Sequence, residues 1–149
     1  MAMTTERDIH DRNDEPIDAA MEQRLRQQLL AGRDRLHEEL RRENEERAET
    51  DNYGSLVNAV PDPGDASVAT EQADLRQAQI GRDVAELRQI EAALGRIDDG
   101  SYGVCSVCGL DIAAARLQAN PAAERCIVCQ SAFEKQYADP GAPAITRKV

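Results

Sequence analysis

Tryptophan is absent, phenylalanine occurs once, and aromatic residues fill only 3% of the 149 positions. That scarcity of bulky side chains argues against sandwiches and barrels. The remaining mixture, 41% hydrophobic and 31% charged, favours long helices instead. No apolar run reaches the roughly 18–20 residues that a membrane-spanning helix needs, so no membrane partner is expected. The opening MAMTTERDIHDRNDEP lacks the apolar stretch of a signal peptide, and a cytoplasmic location is expected from it. Nothing resembles a nucleophile–base set, a phosphate-binding loop or an open metal site, so an enzyme is not expected. The length suits one ordinary domain or two small units, and no internal repeat is visible.

Residues 1–16 are polar and end in Pro16, which reads as a disordered leader. From Ile17 the pattern becomes helical, with Met21, Leu25, Leu29, Leu36 and Leu40 on one stripe. Beyond Leu40 the stripe thins into RRENEERAET, a stretch suited to a solvated helix. DNYG at 51–54 predicts its end. Pro61, Pro63 and Gly64 then predict a turn, with Asp65 or Ser67 capping a second helix. That helix is expected to run to about Ile97, with Val68, Leu75, Ile80, Val84, Leu87, Ile90, Leu94 and Ile97 on its apolar side. Two helices of matched length, each with one apolar stripe, predict an antiparallel coiled-coil hairpin over residues 17–97 with its tip at 58–67. DDGSYG breaks the second helix, a small module follows at 98–138 with a helix over 127–138, and residues 139–149 read as a flexible tail. The expected fold is therefore mainly α: a long hairpin plus a four-cysteine module.

Cys105, Cys108, Cys126 and Cys129 are the only cysteines, arranged as two Cys-x-x-Cys pairs. Zinc prefers a tetrahedron of soft ligands, and two such pairs at this separation form a recognised zinc spacing. Gly109 suits the left-handed step that closes the first pair's turn, and the second pair opens a helix. Arg116 and Arg125 are candidates to offset the charge of four thiolates. A module of about forty residues cannot bury enough surface to fold alone, and bound Zn²⁺ can supply the deficit. A redox dithiol would call for a βαβ setting, which is not visible. With all four ligands from protein, the metal is expected to be structural. His10 and His37 read as solvated side chains.

Charge weighs against nucleic acid. The net charge is −10, and the 98–138 module carries Arg116, Arg125 and Lys135 against five acids. Phosphate binding relies on clustered Lys and Arg, and base stacking on aromatics that are scarce here. Between Arg47 and Arg76 every charged residue is acidic, and PDPGDAS presents Asp62 and Asp65 at the hairpin's end. Those two aspartates are most simply read as turn and cap residues, and they also fit a charged probe that meets a buried cation or basic groups inside a partner.

The stretch DGSYGVCSVCGLDIAAARLQANPAAERCIVCQ, together with the tip Asp62-Pro-Gly-Asp65-Ala-Ser67, resembles the DksA/TraR family. The likeness covers roughly residues 17–138, more weakly along the first helix. It implies a partner, bacterial RNA polymerase, entered by the hairpin through the secondary channel. It further implies that Asp62 and Asp65 act as tip aspartates on open-complex stability without contacting DNA. Ser67 stands where the family has alanine, and its hydroxyl is expected to weaken or redirect tip activity. DksA-type members use basic side chains near the zinc module to help bind guanosine tetraphosphate. The positions aligned with them are Gln89, Asn120 and Gln130, which offer no permanent positive charge. Little response to that nucleotide is expected. The chain is expected to act as a monomer. Two alternatives remain open on the residues: a cleavage-stimulating factor whose tip lends carboxylates to the polymerase magnesium ion, and a zinc-stapled protein adaptor.

Overall fold

Asp18 starts the first helix. Its carboxylate accepts a hydrogen bond from the Met21 amide at 2.6 Å, and its carbonyl accepts one from Glu22 at 2.9 Å. This satisfies donors that the first turn leaves without partners. The computed structural model describes residues 16–56 and 63–138. Four helices follow in order: α1 (Ala19–Leu56), α2 (Pro63–Asp99), α3 (Ala114–Ala119) and α4 (Ile127–Ala138). The expected leader, apart from Pro16, and the expected tail lie outside the described residues.

At 38 and 37 residues, α1 and α2 are matched rods. A rise of 1.5 Å from each residue to the next makes them about 54–56 Å long. They pack antiparallel, as predicted. Leu25, Leu29 and Leu36 of α1 are buried against Ile90, Ala93, Leu94 and Ile97 of α2. Burying one such side chain contributes about 1.5–3 kcal/mol, so this short seam can hold the base of the hairpin closed. Gly32 lets the helices approach: a Cβ there would stand 3.3 Å from Ile90 Cδ1. Arg26–Asp98 at 2.8 Å and Arg35–Glu86 at 3.9 Å bridge the two helices. Exposed pairs of this kind add little energy, but they agree with one register.

Three expectations about the hairpin need correction. α1 does not stop at DNYG but continues to Leu56. Gly within a helix costs only about 1 kcal/mol relative to Ala, which a long helix absorbs. α2 begins at Pro63, so neither Asp65 nor Ser67 is its cap; both lie inside its opening turns. Proline fits a first helical position because its missing N–H would have had no partner there. Val68 and Leu75, expected on the apolar face, are 55% and 65% exposed. Stepping outward from Ile97, Leu94, Ile90 and Leu87 by threes and fours reaches 76, 73 and 69, which passes both of them by.

The helix α4 falls where the pattern placed it, while α3 was not foreseen. The apolar cluster that closes the hairpin base continues through Tyr102, Cys105, Ile112, Leu117 and Ala123. The rod and the cysteine module therefore share one core.

Candidate metal centre and hairpin tip

After α2 the chain turns back on itself, and the amides of Ser101 and Tyr102 both donate to the carbonyl of Arg96, at 2.9 and 3.0 Å. Val104 and Asp111 then form an isolated antiparallel bridge. Between them lies the first cysteine turn. The Cys105 amide donates to Leu110 O at 2.8 Å, and the Gly109 amide donates to Cys105 O at 3.0 Å. Gly109 sits at φ +74°, in the left-handed region that the Cys-x-x-Cys-Gly pattern predicted. The second pair spans the start of α4, with Gln130 N donating to Cys126 O at 2.9 Å and Cys129 N pointing to Cys126 Sγ at 3.5 Å. Ser106 N donates to Glu124 O at 2.9 Å and ties the two turns together.

This arrangement brings all four sulfurs within 4.8 Å of one another, with Cys108 Sγ and Cys126 Sγ 3.9 Å apart. Four Zn–S bonds of about 2.3 Å in a tetrahedron require sulfurs about 3.8 Å apart, so the cluster fits the ion. Protonation chemistry points the same way. Burial pushes the Cys105 thiol up, yet the amides of Cys108, Cys126 and Val107 outweigh it and bring the thiol down to about 6. Its neighbour Cys129 is pushed up to about 12, first by its hydrogen bond with the Cys126 thiol and then by burial. Crowding thus keeps the four thiols from ionising together unless a cation sits among them. The protein holds a structural Zn²⁺ there, which would link the two turns and fix the start of α4.

Arg116 and Arg125 are engaged elsewhere. Arg116 Nε donates to Arg125 O at 2.9 Å, while Arg125 pairs with Glu124 at 2.8 Å and lies 4.1 Å above the Phe133 ring. His37 is exposed, 3.9 Å from Glu91, and takes no part in the cysteine cluster. His10 lies outside the described residues.

Sequence reasoning missed the joint between rod and module. Arg96 Nη2 donates to Ala122 O and Ala123 O at 3.3 and 3.4 Å, and Tyr102 Oη donates to Pro121 O at 2.7 Å. Together they bind the end of α2 to the segment before the second cysteine turn. The available signal was an aromatic residue set between two glycines in a chain nearly devoid of aromatics.

At the far end, Asp62 lies outside the described residues. Asp65 is the third residue of α2, and Ser67 is exposed near the helix start. The length of α2 separates this end from the cysteine module by about 54 Å. Beside the module, Gln89, Asn120 and Gln130 line one groove of about 620 Å³, shared with Arg88, Arg96 and Arg125.

Comparison with known proteins gives a consistent picture. A family model described as the prokaryotic dksA/traR C4-type zinc finger matches residues 100–135. The protein named RNA polymerase-binding transcription factor DksA in Caulobacter vibrioides is 31% identical over 117 residues, covering 75% of each chain. The protein of that name in Haemophilus influenzae is 35% identical over 78 residues, which is 52% of this chain and 54% of the relative. The chain thus spans about half the length of several curated relatives that it matches. The solved structure of transcription factor DksA2 from Pseudomonas aeruginosa superposes with a TM-score of 0.66 at 26% identity, covering 82% of this chain and 89% of that one.

Proposed function

The chain belongs to the DksA/TraR family of zinc-finger proteins, and we propose that it is a regulator that binds bacterial RNA polymerase and modulates transcription initiation. In this reading the hairpin enters the secondary channel, the zinc-held base seats at its rim, and the acidic tip acts near the catalytic centre. One observation carries the reading. A rod about 54 Å long is fixed at one end to the zinc module, and its other end starts within the acidic sequence PDPGD. Such a rod can deliver charge into a deep protein cavity. A net charge of −10 works against approach to a duplex, so the regulator acts without reading DNA directly.

Response to guanosine tetraphosphate is weak in this proposal. Gln89, Asn120 and Gln130 face the groove as neutral groups. The guanidiniums of Arg96 and Arg125 there are already committed to Ala122, Ala123, Glu124 and Phe133. Arg116 is likewise held by Arg125 O, so among the described residues Arg88 is the one groove guanidinium left to meet a polyphosphate.

Defined-promoter transcription with purified polymerase tests the proposal, comparing wild type with Asp62→Asn/Asp65→Asn. The expected result is retained polymerase binding with loss of the effect on initiation. A variant as active as wild type would show that the two aspartates carry none of the effect. Transcript cleavage in backtracked complexes, expected to be absent, would instead favour a cleavage factor.

A further inference from the structure

The seam between α1 and α2 changes character along its length. Near the base it is apolar, with Leu29, Leu36, Ile90 and Leu94 buried. Continued outward at the same spacing, α1 offers Glu43, Arg47 and Thr50, while α2 offers Arg76 and small alanines at 73, 69 and 66. Among the described side chains, none at 41–52 or 66–89 is fully buried. Of the larger apolar residues of outer α2, Val68 and Leu75 face solvent and Ile80 is only half-buried.

Glu43 and Arg76 mark the change. Arg76 Nε stands 3.8 Å from Glu43 Oε2, beyond hydrogen-bonding distance, and that oxygen is shielded from water without a donor. A shielded oxygen without a partner opposes tight closure. Several outer side chains meanwhile bond within their own helix. Arg41 pairs with Glu38 and Glu45 on α1, and Gln79 bonds Asp83 on α2. The hydroxyls of Thr50 and Thr70 donate to carbonyls one turn back. Such bonds stabilise each helix singly and contribute nothing to holding the pair together.

We infer that the hairpin is a two-part rod jointed at Glu43–Arg76, whose outer helices part and close locally while the base stays shut. The base opens only with the whole fold, because its seam is continuous with the core of the zinc module. Compliance in the outer half lets its end adjust to a curved or narrow cavity without cost to the base. The inference concerns the free protein and holds whatever partner the tip meets.

Hydrogen exchange on the full zinc-loaded chain tests it. Backbone amides at 41–52 and 66–80 exchange at least about a hundredfold faster than those at 25–36 and 87–97, since local opening there precedes global unfolding. The double variant Glu43→Leu/Arg76→Leu extends the apolar seam and slows outer exchange by about tenfold or more, with base amides unchanged. The single variant Glu43→Leu removes the shielded oxygen and shifts outer exchange in the same direction. Outer amides in wild type as slow as those of the base would overturn the two-part rod. Outer amides that stay fast in both variants would overturn the assignment of the joint.

Discussion

Tyr102 and Arg96 stand where the rod meets its base, and their chemistry is local enough to test residue by residue. Burial pushes the Tyr102 hydroxyl up to about 12, against partial opposition from the Arg96 charge. A folded pKa above the ordinary value of 10.0 means that this group's contribution is fully present below pH 10. It is lost as pH rises from there towards 12, because the unfolded tyrosine sheds its proton first. Tyrosinate absorbance should therefore show a late-titrating component that Tyr102→Phe abolishes. The same variant loses the bond to Pro121 O and should cost about 1 kcal/mol in urea unfolding. A single ordinary titration of all tyrosines in the native protein would contradict the burial argument. The flanking glycines marked Tyr102 in the sequence, but its partners were not legible there, because the partner carbonyls come from residues nineteen or more positions away.

At the scale of elements, the hairpin's energy is concentrated in a few positions near its base. Leu36 is 2% exposed, and Leu36→Ala should cost about 2–5 kcal/mol through lost burial and a cavity. Leu75 is 65% exposed, and Leu75→Ala should change stability by no more than about 0.5 kcal/mol. Equal effects of the two in denaturant melts would mean that Leu75 is packed after all. Helical periodicity could find both stripes, yet it treated Leu75 and Leu36 alike. Which apolar residues become buried depends on the register between the helices, and one helix's pattern does not contain it. Helix ends escaped for a different reason: a turn signal such as DNYG states a preference of about 1 kcal/mol per residue, which the rest of a 38-residue helix overrides.

The molecule as a whole depends on its metal. The cysteine module and the hairpin base share one apolar cluster, so losing the ion weakens both. Apparent zinc affinities of about 10–16 kcal/mol make metal removal a large perturbation for so small a unit. Chelation should release one zinc per chain, unfold the 98–138 region and lower the melting temperature, while circular dichroism retains much of the helical signal of α1 and α2. Cys126→Ser should reproduce the loss without a chelator. Acid should do the same, because thiolate ligands must stay deprotonated to hold the ion. Melting curves unchanged by chelation would show that the cysteines contribute nothing to stability through a metal.

The sequence alone carried the two-helix hairpin, the position of α4, the left-handed Gly109 and the four-cysteine zinc set. Each is written in local spacing: steps of three and four residues, or two pairs of thiols with a glycine at the turn. Tertiary structure alone decided where the apolar seam stops, which arginines were already committed, and how Arg96 and Tyr102 lock the rod to its base. Those outcomes arise when segments distant in sequence meet, and a local pattern holds no record of the partner it will face.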